Sequence, residues 1–263
     1  MPATAVIRAG ALALLVGFSS VALAQPTKEV PSSSTFTPMV GQEGKDVVWV
    51  PTPESLVNKM LDMANVTSKD VVIDLGSGDG RTVIAAAKRG AQATGIEYNP
   101  DMVALSRANA QKAGVTDHAK FLKADLFQTD LSKATVITMF LLPDINLKLR
   151  PRLLALKPGT RVVSNTFTMG DWKPDQTGSP DNCDSSWCTA LLWIVPARVS
   201  GTYQTPQGEL TLRQSYQMLS GSLRADGKIL PIADGRVRGE ELSFKAGGKE
   251  YRGRMNGKTV ELR

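Results

Sequence analysis

The chain has 263 residues, with 31 Lys and Arg against 25 Asp and Glu, for a formal net charge of +6. A hydrophobic content of 42% supports a packed core, and the length suits one large domain or two small ones. A single His, His118, and two Cys exclude a His-rich or four-Cys zinc site and a disulfide-dense scaffold. Arg8 precedes an apolar run, Ala9 to Phe18, and Ala22-Leu23-Ala24 precedes Gln25. A basic start, an apolar stretch and an A-x-A site predict a secretory signal over residues 1–24, cleaved near Ala24. The expected location is the bacterial periplasm. Residues 25–45, rich in Pro, Ser, Thr and Gly, read as a flexible lead-in.

Residues 46–196 alternate strand and helix patterns. Thr52-Pro53-Glu54 predicts a helix start with Thr52 as N-cap, followed by Leu56, Val57, Met60, Leu61 and Ala64 at helical spacing. Val71 to Ile73 reads as a buried strand, Arg81 to Arg89 as a helix stopped by Gly90, and Ala93 to Ile96 as the next strand. Asn99-Pro100 caps a helix running to Gly114. Strands follow at Phe121-Leu122 and Val136 to Leu142, then a helix from about Ile145 to Leu156. Strands at Arg161 to Val163 and Thr189 to Val195 complete the set. The pattern predicts an α/β fold: a doubly wound, mostly parallel sheet with helices on both faces. Such sheets bind ligands at the carboxyl ends of their strands.

The strongest feature is Asp74-Leu75-Gly76-Ser77-Gly78-Asp79-Gly80-Arg81, between the first strand and a helix. Its glycines are spaced G-x-G-x-G, not the G-x-G-x-x-G of dinucleotide sites. An acid two residues before the first Gly would repel a pyrophosphate, and it suits an ammonium such as that of S-adenosylmethionine. Glu97 ends the second strand, where a carboxylate can accept from both ribose hydroxyls. Asp125 ends the third, where it or a neighbouring backbone group can meet an adenine amino group. This set predicts an S-adenosylmethionine site at Asp74, Gly76, Ser77, Gly78, Asp79, Gly80, Glu97 and Asp125, with their neighbours Tyr98 and Leu126.

The glycine turn, Gly95-Ile96-Glu97-Tyr98-Asn99-Pro100 and Ala124-Asp125-Leu126-Phe127 resemble the class I, seven-stranded methyltransferases. Over roughly 46–196, Val50-Pro51-Thr52-Pro53, Leu141-Leu142-Pro143 and Gly170-Asp171-Trp172 resemble one subgroup. It contains protein-lysine methyltransferases of mitochondrial membranes and bacterial members of unknown substrate. The resemblance implies a seven-stranded sheet, S-adenosylmethionine as cofactor and methyl transfer to an acceptor, a protein lysine among the candidates. It puts Pro51, Thr52, Leu142 and Pro143 near the acceptor. The Asn-Pro-Pro-Tyr motif of methyltransferases acting on DNA bases or glutamine is missing. The alternative is a non-catalytic exported protein that keeps the pocket and acts through its C-terminal module.

In-line methyl transfer asks the protein for positioning and a dry site. It requires no metal, and no metal site is expected. Asp144 is the best placed acid to take a lysine proton, or else it is a helix N-cap. Trp49 and Trp172 are candidates to wall the acceptor pocket, or are ordinary core and rim packing. Cys183 and Cys188 lie in a loop rich in Pro, Gly, Asp and Ser, and in an exported protein they predict a disulfide. Export also separates the enzyme from a cofactor made in the cytosol.

Residues 197–263 hold 12 Lys and Arg against 7 Asp and Glu, whereas residues 25–196 hold 18 of each. The tail therefore carries +5. Alternation from Leu210 to Gln217 and strands over 222–262 predict a small antiparallel barrel or sandwich. Its predicted turns are Asp226-Gly227, Asp234-Gly235, Gly247-Gly248 and Asn256-Gly257. Arg236 with Arg238, and Arg252 with Arg254, share strand faces. They offer a cationic surface to an acidic partner or an anionic surface, or are simply solvated. Nucleic acid is not an expected partner, because the tail lacks a stacking motif.

Overall fold

A computed structural model describes residues 1–3 and 36–263. All but the first three residues of the predicted signal segment, and residues 25–35 of the lead-in, fall outside the described residues. The chain divides into Met1–Thr35 and a compact unit, Phe36–Arg263. The second unit contains every helix and strand among the described residues.

The first half of this unit is built on α1 (Glu54–Met63), β1 (Val71–Leu75), α2 (Arg81–Lys88), β2 (Gln92–Glu97), α3 (Pro100–Lys112) and β3 (Ala119–Lys123). Next come β4 (Val136–Met139), α4 (Pro143–Leu154), β5 (Arg161–Asn165), β6 (Gln176–Gly178) and β7 (Ala190–Ile194). The sheet order is β3-β2-β1-β4-β5-β7-β6. β1 to β5 are parallel, and β7 runs antiparallel to both β5 and β6. The sheet is mixed because β7, reached from β5 without a helical crossover, joins the edge in the antiparallel sense.

Alternate residues of the central strands feed two cores. Val72, Val136 and Val163 pack with Leu56 and Val57 of α1, Val83 of α2 and Val103 of α3. Ile73, Ile137 and Val162 pack on the other face with Ile145, Leu149 and Leu153 of α4. Thus three helices cover one face and one covers the other.

Two helix starts differ from expectation. α1 begins at Glu54 with Pro53 in the cap position. Thr52 is buried instead, its hydroxyl 3.4 Å from Asn165 Nδ2 and its carbonyl accepting from Arg81 Nη1 at 3.0 Å. α4 starts at Pro143, whose fixed φ and missing N–H suit the first helical position. Leu142 therefore holds the cap position, and Asp144 lies exposed within the first turn. Asn99 caps α3 as expected, accepting from the Asp101 amide at 2.9 Å.

The second half is one eight-stranded antiparallel sheet: β8 (Gly201–Thr205), β9 (Gly208–Ser215), β10 (Met218–Ala225), β11 (Lys228–Pro231), β12 (Ala233–Arg238), β13 (Glu241–Ala246), β14 (Lys249–Asn256) and β15 (Thr259–Leu262). It curls round a single core that includes Leu210, Leu223, Val237 and Phe244, and β15 comes close to β8. Asp226-Gly227 and Gly247-Gly248 form hairpin turns at positive φ. Asp234-Gly235 does not. Asp234, at φ +52, sits in a bulge of β12 where the register shifts between Ala233 and Arg236. This bulge, like a type I′ turn, places a residue at positive φ, so the dipeptide suits either.

Candidate functional site

The glycine turn sits at the carboxyl end of β1. Gly76 and Ser77 donate their amides to the Ile96 carbonyl at 2.9 and 3.0 Å, tying the turn to β2. Gly78, at φ +53, must be glycine twice over: a Cβ there would lie 2.6 Å from Trp49 Nε1. Glu97 braces the same loop, with Oε2 accepting from the Gly78 amide at 3.0 Å and Oε1 from the Asn99 amide at 2.9 Å. Asp79 is a clamp rather than a free ligand. It holds Arg81 at 2.6 Å, and Arg81 in turn reaches Thr52.

Asp74 is 6% exposed and accepts from Thr138 Oγ1 at 2.6 Å. Parallel register sets Asp74 of β1 beside Thr138 of β4. Burial pushes the Asp74 carboxyl up to about 7; Thr138 opposes this, and the charges of Asp79 and Glu97 add to it. Among the described residues no cation pairs with this buried acid, which lies beside two others. It is therefore a natural partner for a ligand ammonium. Ser77 Oγ, also buried, has no hydrogen-bond partner among the described residues. These groups fit S-adenosylmethionine: Asp74 for the ammonium, Glu97 for the ribose, and the glycine turn for close approach.

One cavity collects these residues. It is lined by Asp74, Gly76 to Asp79, Glu97, Tyr98, Asp125 and Leu126, and by Gln42 to Thr52, which run over it. Gly80 is outside the lining and instead opens α2 at φ +84. The covering segment is held by paired main-chain bonds, Gly41 amide to Trp49 carbonyl and Trp49 amide to Gln42 carbonyl, both 2.9 Å. Asp125 is engaged by Lys45 Nζ at 2.6 Å and by the Phe127 amide at 2.8 Å, and Lys45 holds its carboxyl below the usual range. The Lys45 ammonium also lies 4.7 Å from the Tyr98 ring centroid.

On the acceptor side the expectations divide. Trp49, Pro51 and Thr52 line the cavity; Leu142, Pro143, Asp144 and Trp172 do not. Trp172 is fully buried. Its carbonyl accepts from Trp193 Nε1 at 2.8 Å, and its ring stacks on Tyr216 of the antiparallel half at 6.2 Å. It is a joint between the two sheets, not a pocket wall. Asp144 is exposed outside the cavity lining and makes no capping bond. Lys45, Thr138 and Phe140 join the site without a signal of their own in the motifs. Thr138 is deducible from parallel register alone, whereas nothing in the loop sequence singles out Lys45.

Cys183 and Cys188 are disulfide-bonded, with Cα atoms 6.1 Å apart. Among the described residues no cluster of three His, Cys, Asp or Glu could hold a metal, and no helix is long and apolar enough to cross a membrane.

Comparison with known proteins agrees with this geometry. Residues 74–176 match the ANTKMT methyltransferase domain. A protein-lysine N-methyltransferase of Saccharolobus islandicus is 47% identical over 152 residues, covering 57% of this chain and 94% of that protein. An adenine nucleotide translocase lysine N-methyltransferase of Mus musculus is 39% identical over 105 residues, and the match spans 39% of this chain and 46% of that protein. A crystal structure described as an RNA methyltransferase from Salinibacter ruber, with S-adenosyl-L-homocysteine bound, is 49% identical. It superposes with a TM-score of 0.53 over 57% of this chain and 96% of that one. The chain therefore belongs to the family of S-adenosylmethionine-dependent methyltransferases that carry the ANTKMT methyltransferase domain.

Proposed function

We propose that this enzyme methylates lysine side chains of a protein and does so outside the cytoplasm. The observation that carries the lysine reading is the 47% identity to a protein-lysine N-methyltransferase across 94% of that relative. When bound, S-adenosylmethionine supplies a methyl group already activated on a sulfonium. Asp74 would hold the ammonium end, Glu97 the ribose, and Asp125 or a neighbouring backbone group the adenine end. Trp49 and the segment around it keep water away from the site. The bonded Cys183–Cys188 pair supports the location, because disulfides persist in oxidising compartments. So does the signal pattern of residues 1–24. How the cofactor reaches an exported enzyme is the question this reading raises.

The Salinibacter ruber relative, described as an RNA methyltransferase, favours a second reading, an RNA acceptor. The charge balance of residues 25–196, 18 Lys and Arg against 18 Asp and Glu, speaks against it. RNA binding draws on an excess of cationic groups against phosphate. The +5 of the C-terminal sheet offers instead an acidic partner or anionic surface as a docking ligand.

Tritiated S-adenosylmethionine in an extract treated with the purified enzyme decides between the acceptors. Label recovered as methyl-lysine after acid hydrolysis supports the proposal. Label in RNA, or none, contradicts it. Fractionating the native host tests export: the enzyme belongs in the periplasmic fraction, beginning at Gln25.

A further inference from the structure

Next to the cofactor cavity three aromatic rings meet. Phe140 follows β4 and lines the cavity. Its ring centroid lies 5.9 Å from that of Phe167, nearly parallel, and 6.2 Å from that of Trp187, tilted by 57°. Unlike the core aromatics Trp172, Trp193 and Phe244, none of the three is fully buried, and Trp187 is 38% exposed. Contiguous apolar area left partly exposed beside a cavity is a candidate binding surface.

The rings are also held in place. Phe167 follows Thr166, a β-branched residue at φ +57, a strained conformation of the kind that collects at functional sites. The Phe167 carbonyl accepts from Ser164 Oγ at 2.8 Å and Asn146 Nδ2 at 3.1 Å, which fix the turn. Trp187 comes from residues 179–189, which form no helix or strand. That stretch is constrained by the Cys183–Cys188 disulfide, which closes just beyond the Trp, and by the Trp187 amide donating to Ser185 Oγ at 3.2 Å.

We propose that Phe140, Phe167 and Trp187 form a subsite for the acceptor's ammonium or methylammonium group, with Trp187 positioned by the disulfide. This rests on the lysine reading above. Aromatic faces attract cations through their quadrupole, and quaternary ammonium groups are favoured ligands of such walls. A subsite of this kind would hold the amine beside the cavity and keep its binding through successive methylations.

The test uses the full chain saturated with S-adenosylhomocysteine. Nα-acetyl-Nε-trimethyl-lysine amide, its uncharged carbon isostere and uridine monophosphate are titrated in turn by ligand-observed NMR. The cationic probe should bind about tenfold more tightly than the isostere. Trp187→Ala should erase that preference and Trp187→Phe restore part of it, with S-adenosylhomocysteine affinity unchanged. The Cys183→Ser/Cys188→Ser variant, or reduction, should mimic Trp187→Ala. Equal or absent binding of the two lysine probes, or a Trp187→Ala variant that still discriminates, would overturn the subsite. So would uridine monophosphate binding that depends on Trp187, which would mean base stacking. Discrimination that survives loss of the disulfide would overturn the positioning role. Failure of S-adenosylhomocysteine to bind would instead strike the methyltransferase reading beneath it.

Discussion

The α/β sheet encloses one charge-bearing group at its centre: Asp74 is buried beside Thr138, and its carboxyl is pushed up to about 7. In the antiparallel sheet charge is abundant and wet. Arg236, Arg238, Arg252 and Arg254 stand exposed, and three of them meet acids, Asp175, Glu250 and Glu240. The excess of +5 therefore says little about where chemistry happens. Solvent screening leaves surface ion pairs weak, whereas a carboxyl in a low dielectric feels each neighbouring charge strongly.

The sheets are nonetheless coupled. Tyr216 stacks on Trp172 and donates to Asp171 at 3.0 Å; Gln217 Nε2 donates to the Lys173 carbonyl at 2.7 Å. Removing this joint gives the largest expected effect. Trp172→Ala should lower stability by about 4 kcal/mol in chemical denaturation, the range for deleting a buried large aromatic. An unfolding curve unchanged from wild type would separate the two sheets and refute the role of Trp172 as their joint.

The next effect separates buried charge from wet charge by pH. Asp74 has a folded pKa of about 7 against an ordinary value of 3.8. A raised carboxyl favours the folded state while protonated. Its contribution is thus fully present below about pH 4 and is lost as pH rises to about 7, up to roughly 4 kcal/mol in the ligand-free protein. Thermal melts of wild type against Asp74→Asn should show this slope in wild type and a flatter profile in the variant. Parallel profiles would contradict it. The smallest effect is expected on the other sheet. Arg252→Ala, which removes the exposed pair with Glu250, should move Tm by no more than about 3 °C. A larger drop would mean that the outer arginines act structurally.

Local signals carry well in this chain and long-range ones do not. The glycine turn, the Asn99 cap and the acids at the ends of β1 to β3 follow from short-range chemistry, and each sits where residue type and spacing put it. Trp172 reads equally as a pocket wall or as core packing, because a loop tryptophan gives no sign of burial. Tyr216, far along the chain, supplies that burial. β6 is three residues long inside a polar loop and carries no alternation to detect. The aromatic group at Phe140, Phe167 and Trp187 exists only once β4, β5 and the disulfide loop come together. Asp144 misleads as a cap because Pro143 competes for the helix start and wins it.

The central claim is that Asp74 and Glu97 make this cavity a cofactor site. Isothermal titration of S-adenosylhomocysteine into wild type, Asp74→Ala and Glu97→Ala tests it directly. Saturable binding is expected for wild type, with a loss of about 100-fold in each variant, the scale of a lost hydrogen bond to a charged group. Equal affinity in all three proteins, or no binding by wild type at millimolar ligand, would contradict it.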